Sequence, residues 1–150
     1  MATMIRKPAL RLLVVLAALP LAACGPGSSD LDPNDFSVTV REIKEDPSFN
    51  TDIQGIFDAE GCTNGACHGV GASAGLNLER GLAYANLVGV AATQEGFERV
   101  TPEKANESYL IIKLEGRQQV GVRMPPSGNP LDAIHMGNLK NWINKGAKNN

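Results

Sequence analysis

The stretch Cys62 to Gly69, which reads CTNGACHG, constrains this 150-residue chain more than any other feature. Its two cysteines enclose four residues, and a histidine follows the second cysteine directly. Thiol and imidazole side chains bind metals or form covalent bonds, so this spacing predicts a site and not only a loop. The chain has three cysteines and two histidines. The rest of the sequence is therefore needed to predict what this segment binds.

Three kinds of site are compatible with the pair. Structural zinc takes four ligands, and only His135 remains outside the segment once the third cysteine is assigned elsewhere. A disulfide between Cys62 and Cys67 closes a small loop, which constrains little of the unfolded chain and leaves His68 without a role. Covalent haem attachment usually uses C-x-x-C-H, two residues shorter than this stretch. Asn64–Gly65 favours a tight turn with positive φ, which would push the extra residues outward and keep the sulfurs close.

The N-terminus predicts export. Three basic residues lie within positions 1–11, and the apolar run Leu12–Ala23 follows. This run is too short to span a bilayer, so it indicates a signal peptide over residues 1–23. LAAC, Leu21 to Cys24, resembles a bacterial lipobox, which implies cleavage before Cys24 and lipidation of its thiol. The alternative is an ordinary signal peptide that leaves Cys24 free.

The rest of the chain divides into a tether and one domain. Residues 24–49 begin with a segment rich in Gly, Ser, Asp and Pro, and we interpret them as a flexible tether and arm. Residues 50–150 can form one domain with a modest core. Removal of the signal peptide changes the formal charge from −2 to −5, because the peptide carries three cations and no acid. This balance gives no support for nucleic-acid binding.

The apolar spacing predicts an all-α domain of about four short helices. The first follows a capping box at Thr51–Gln54 and buries Ile53, Ile56 and Phe57 on one face. The second covers residues 79–88, and the third covers residues 107–114, ends at Gly116 and uses Asn106 or Ser108 as its cap. The last begins at Asp132 and ends at Gly146, with Trp142 in its core face. The loops between them are long, which is unusual in a small domain unless something other than protein fills the centre.

The order of motifs resembles the class I-type cytochrome c domain, especially the variety common in planctomycete and related bacterial proteins. The resemblance covers roughly Asp52 to Ala147. It rests on DIQGIFDAEGC before the cysteine segment, CHG within it and AGLNL after it, followed by SYLIIKL, RMPP and a terminal WIxxGA. The four residues between the cysteines depart from the usual two. RVTPEKANESYL also replaces a glycine-bearing pattern.

The resemblance implies a small fold wrapped round one covalent haem c. Cys62 and Cys67 would form the thioethers, His68 would be the proximal iron ligand and Met124 the distal one. Met124 precedes two prolines that stiffen its loop, and Met/His ligation raises a haem's reduction potential. His135 is the main rival for the distal position. A carbonyl of GASAGLNL would orient His68 through its other ring nitrogen, and Arg117 and Arg123 are candidates to neutralise the haem propionates.

The expected function is single-electron transfer by a lipid-anchored monohaem cytochrome. With both axial positions filled there is no open position for a substrate, so we do not expect an enzyme. The partners would be redox proteins and the membrane, reached through lipidated Cys24. Gly25 after the cysteine resembles the outer-membrane sorting class, on the periplasmic face or the cell exterior. Two alternatives stay open: a haem subunit of a larger oxidoreductase, and a haem-free binding lipoprotein with a Cys62–Cys67 disulfide.

Overall fold

The computed structural model describes residues 41–126 and 128–150, so the predicted signal peptide, Cys24 and most of the tether lie outside the described residues. Within these ranges the chain forms four α-helices and no β-strand: α1 Gln54–Ala59, α2 Ala83–Leu87, α3 Tyr109–Glu115 and α4 Ala133–Asn144. The all-α class is therefore confirmed. No helix in the described part of the chain combines the length and apolar character needed to cross a membrane.

The entry to α1 differs from the prediction. A π-helical turn, Phe49–Ile53, precedes α1 and begins before the predicted cap. Thr51 is exposed inside this turn, and the carboxylate of Asp52 accepts a hydrogen bond from the Ser48 amide at 2.9 Å. The predicted capping box is wrong because burial of Phe49 starts the helical segment earlier. The predicted apolar face of Ile53, Ile56 and Phe57 is buried, as expected.

The second helix is shorter than predicted. It covers Ala83–Leu87 and buries Ala83 and Leu87, whereas Leu82 is about half exposed. Gly81 has φ +81°, a left-handed conformation that interrupts a helix. The predicted helical turn over residues 79–82 therefore cannot join α2.

The third and fourth helices follow the sequence pattern closely. α3 ends at Gly116 as predicted, although the Ser108 hydroxyl bonds to carbonyls of the preceding loop and does not cap α3. α4 begins at Asp132, whose carboxylate accepts the His135 amide at 2.8 Å. Trp142 is 1% exposed and lies 5.1 Å from the ring of Phe49. The predicted N-cap and core positions of α4 are thus confirmed.

Residues 41–49, assigned above to the tether and arm, pack along α4. The Asn138 side chain accepts the Lys44 amide at 2.7 Å and donates to the Glu42 carbonyl at 3.0 Å. Asn138 is buried, so these bonds satisfy a polar group that would otherwise be costly to bury. The packed unit therefore includes residues N-terminal to position 50.

Candidate functional site

A cavity of about 540 Å³ lies among the helices. Its volume falls in the range of about 300–1,000 Å³ found for small-molecule and cofactor sites. All four helices contribute to its largely apolar wall, including Phe57 from α1, Leu87 from α2, Leu114 from α3 and Leu139 from α4. A second depression of about 510 Å³ near Glu98 and Glu107 contains none of the predicted site residues.

Four predicted site residues border this one cavity: Cys62, Cys67, His68 and Met124. The first three come from the loop after α1, and Met124 comes from the loop before α4, more than fifty positions later in the chain. The fold thus brings together the residues that the sequence analysis selected. Cys24, the predicted lipidation site, lies outside the described residues.

The cysteine loop is held by its own backbone. The Cys62 amide donates to the Phe57 carbonyl at 2.8 Å, which fixes the loop to the end of α1. Within the loop, the His68 amide donates to the Cys62 carbonyl at 3.0 Å, and the Cys67 amide donates to the Asn64 carbonyl at 2.8 Å. These bonds fold the four intervening residues into a compact turn, with both cysteines in the cavity wall.

The turn is not the one predicted for Asn64–Gly65. Neither residue has positive φ. Instead, the Asn64 side chain accepts the Ala66 amide at 3.3 Å, a local side-chain turn that asparagine favours. The extra residues are therefore accommodated by backbone in ordinary regions of φ and ψ.

Two later glycines have a role that sequence reasoning missed. A Cβ atom at Gly69 would lie 2.2 Å from the Thr63 carbonyl oxygen, and one at Gly71 would lie 2.6 Å from the Gly65 carbonyl oxygen. Both distances are far below van der Waals contact with backbone atoms that cannot move aside. Only glycine lets the chain return across the turn at these positions. The sequence shows two glycines shortly after Cys67 and His68, but it does not show which segment of the chain they approach in the fold.

His68 is oriented by a backbone carbonyl. Its Nδ1 lies 3.2 Å from the Ser73 carbonyl oxygen, in the GASAGLNL segment expected to supply that partner. An Nδ1–H donated to this oxygen leaves Nε2 as the ring nitrogen with a free lone pair. Such a carbonyl partner is the usual means of fixing the tautomer of a metal-binding histidine.

Both thiols of the segment are half-buried and unpaired in the described part of the chain. Burial, followed by the nearby Glu60 carboxylate, raises the pKa of Cys62 to about 11. Cys62 is therefore a protonated thiol at neutral pH, and not a reactive thiolate. In the described ranges, no group of three or more His, Cys, Asp or Glu side chains is assembled around one point. The zinc interpretation gains no support from this arrangement.

The two candidates for the distal position occupy different places. Met124 borders the cavity and packs partly against the core. His135 is absent from the cavity wall, and both of its ring nitrogens have neighbours: Nδ1 lies 2.7 Å from Glu60, and Nε2 lies 2.9 Å from the Arg41 guanidinium. The geometry favours Met124.

Two cations in the wall were not predicted. Arg99 donates to the carbonyl oxygens of Asn86, Ala74 and Gly75, and Lys113 donates to that of Val122. Neither forms an ion pair with a carboxylate of the described segments, and burial lowers the pKa of Lys113. Arg117 and Arg123, the predicted candidates, do not border the cavity.

The site is thus an apolar cavity with two thiols, an oriented imidazole, a thioether and two cations in its wall. A largely apolar wall with a few polar groups is the usual character of small-molecule and cofactor sites. Comparison of the chain with protein-family models, with curated proteins and with solved structures found no match.

Proposed function

We propose that the protein is a monohaem c-type cytochrome that carries single electrons and is anchored to the membrane by lipidated Cys24. One observation carries the proposal: Cys62, Cys67, His68 and Met124 border the same cavity. These are the four side chains that covalent attachment and Met/His axial ligation require. Met124 is far from the cysteine segment in the sequence, and this separation alone does not require Met124 and the segment to border the same cavity.

The residues of the cavity fit a covalently held haem. A c-type haem supplies a one-electron redox centre when bound. Cys62 and Cys67 would anchor it, and His68 and Met124 would hold the two axial positions. Because both positions would be filled by the protein, no position is left for a substrate. This is the reason for proposing a carrier and not an enzyme.

The wall itself contributes burial and charge. Apolar side chains such as Phe57, Leu87 and Leu139 exclude water from the centre, and burial and dielectric are among the factors that set a haem's potential. Arg99 and Lys113 would offer positive charge to the carboxylates of a bound porphyrin, the role first assigned to Arg117 and Arg123. An anionic ligand would give these two cations the charge partner they lack in the described part of the chain.

The proposed location follows from the N-terminus alone. A lipidated Cys24, followed by a tether, would hold the domain near the outer membrane, where it would exchange electrons with redox proteins. Diacyl anchoring is stable, whereas a single chain gives only reversible membrane binding.

The proposal is tested on the mature protein made in a strain that attaches haem to c-type cytochromes. We expect a c-type pyridine haemochrome spectrum and haem that stays with the chain after denaturation. In a Cys67→Ala variant one of the two anchors is absent, and we expect less haem retained and a shifted haemochrome band. A colourless protein with a Cys62–Cys67 disulfide would refute the proposal and leave the binding-lipoprotein alternative. A second protein copurifying in fixed ratio would favour the oxidoreductase-subunit alternative.

A further inference from the structure

Met124 borders the cavity from a loop without regular secondary structure in its described positions. Residues 117–128 leave the end of α3 and return toward α4 without a helix or strand in the described positions. The loop exposes Val120 and Val122, which are 68% and 58% exposed, so burial of apolar side chains does not hold these residues in place. Apart from the partial packing of Met124 against the core, the position of the loop depends on its hydrogen bonds.

Lys113 supplies two of these bonds from one residue of α3. Its backbone carbonyl accepts the Met124 amide at 2.9 Å. This carbonyl lies in the last turn of α3, where helix carbonyls lack partners within the helix, so the Met124 amide satisfies it. The amide of the proposed ligand residue is therefore bonded directly to α3.

The Lys113 side chain binds the same loop at Val122, two residues before Met124. Its Nζ donates to the Val122 carbonyl at 2.5 Å, and a Cβ at Gly121 would lie 3.4 Å from the same nitrogen. Hydrogen bonds from a charged donor are roughly twice as strong as those between neutral groups. Lys113 also borders the cavity, so one residue connects α3, the loop and the site.

We propose that Lys113 is a positioning residue that determines how firmly Met124 is held at the distal side of the site. The inference rests on the proposed function, since Met124 has a ligand role only there. Lys113 does not itself ligate the iron. Its ammonium holds the loop closed, and its loss lets the Met124 loop open more often while the cysteine loop stays unchanged.

The test is the affinity of the oxidised haem protein for imidazole, which must displace Met124 to bind. We expect Lys113→Met to raise this affinity about tenfold, since loss of a hydrogen bond from a charged donor changes an equilibrium by at least that factor. Lys113→Arg keeps a charged donor and should stay within about threefold of wild type. Amide exchange over residues 117–124 should accelerate in Lys113→Met and not in Lys113→Arg.

Lys104→Met is the matched control. Lys104 pairs with Glu107 at 3.2 Å on the surface and does not border the cavity. Imidazole affinity and loop exchange in this control should match wild type. Equal changes in Lys104→Met and Lys113→Met would overturn the inference, as would values for Lys113→Met within about twofold of wild type. If Lys113→Met does not fold, Lys113→Gln is measured in its place. The glutamine side chain is shorter than that of lysine, so its amide does not reach as far as the Lys113 ammonium. The expected change in imidazole affinity and the outcomes that would overturn the inference are the same as for Lys113→Met.

The two proposals fail in different ways. If the protein carries no covalent haem, the proposed function fails, but amide exchange of the full chain still reports whether Lys113→Met loosens residues 117–124. If haem is present and Lys113→Met leaves imidazole affinity and loop exchange unchanged, the Lys113 inference fails and the haem function stands.

Discussion

The two sides of the cavity are built differently. The cysteine side is a loop whose backbone amides bond to its own carbonyls, with Gly69 and Gly71 packed against the turn they cross. The methionine side is a loop with exposed valines, held by one backbone hydrogen bond from the Met124 amide to α3 and by the side chains of Lys113 and Arg123. The first arrangement fixes geometry through the backbone. The second can be weakened by changing one side chain, so the two sides should respond to mutation in different ways.

The largest effect is expected from Gly69→Ala. The added Cβ would meet the Thr63 carbonyl oxygen at 2.2 Å, and backbone must move to relieve the overlap. We expect a loss of about 3 kcal/mol or more in the free energy of unfolding, at the upper end of the cost of overpacking. Urea denaturation of the mature protein measures this loss, and haem yield should fall with it.

Gly65→Ala is the control for that variant, because it lies in the same turn with no atom within 4 Å of the added Cβ and no positive φ. Its effect should be within about 0.5 kcal/mol. If both alanine variants were equally stable, the cysteine side would not owe its geometry to close backbone approach, and the contrast between the two sides would not hold.

The next largest effect is expected from Met124→Ala, measured as a change in the reduction potential of the haem. Loss of a methionine ligand should lower the potential by more than about 59 mV, a tenfold change in the one-electron equilibrium. Haem should remain attached, because the two cysteines are untouched. His135→Ala, which removes the rival residue, should leave the potential near that of wild type. The opposite pattern would assign the distal position to His135.

A smaller effect concerns Glu115, at the junction between α3 and the methionine loop. Its carboxylate lies 2.6 Å from Lys140 of α4 and 2.5 Å from Arg117 of the loop. The hydrogen bond from Lys140, and then that from Arg117, lowers the pKa of Glu115. The unfolded chain therefore binds this proton first as pH falls, so stability is present above the ordinary glutamate pKa of about 4.3 and decreases as pH falls through the lower folded value.

Glu115→Gln should flatten this part of the acid dependence. Because the carboxylate is partly exposed, the difference between the variant and wild type should stay below about 1 kcal/mol. Urea midpoints measured from about pH 6 to about pH 3 give the dependence. Glu107→Gln removes another glutamate from an exposed pair and serves as the control. A variant curve parallel to that of wild type would show that Glu115 does not tie the loop to α4.

Sequence patterns predicted the parts of this fold that depend on local chemistry. The cap at Asp132, the helix end at Gly116 and the burial of Phe57 and Trp142 follow from residue type and spacing, and the structure has all of them. The four side chains selected for the cavity also came from local motifs.

What the sequence did not predict depends on contacts between distant segments. Arg99 and Lys113 border the cavity because the fold brings α3 and the loop before it to the same cavity as the cysteine segment, which no local pattern encodes. Gly69 is needed because the chain returns to Thr63, and a list of turn residues does not show where a chain returns. The capping box at Thr51 failed because burial of Phe49 outweighed a local preference.

The smallest expected effect tests whether the cysteine side is self-contained. Glu60, two residues before Cys62, is held by His135, and Arg41 in turn contacts His135 and Asp132 at 2.9 Å and 2.6 Å. Arg41 and Asp132 are about half exposed, and ion pairs of this kind contribute little. Arg41→Ala should therefore shift the urea midpoint no more than Gly65→Ala, and amide exchange at Cys62 and Cys67 should stay at the wild-type rate. Faster exchange at the two cysteines would mean that the N-terminal segment supports the cysteine loop. The cysteine side would then rely on long side-chain contacts as the methionine side does.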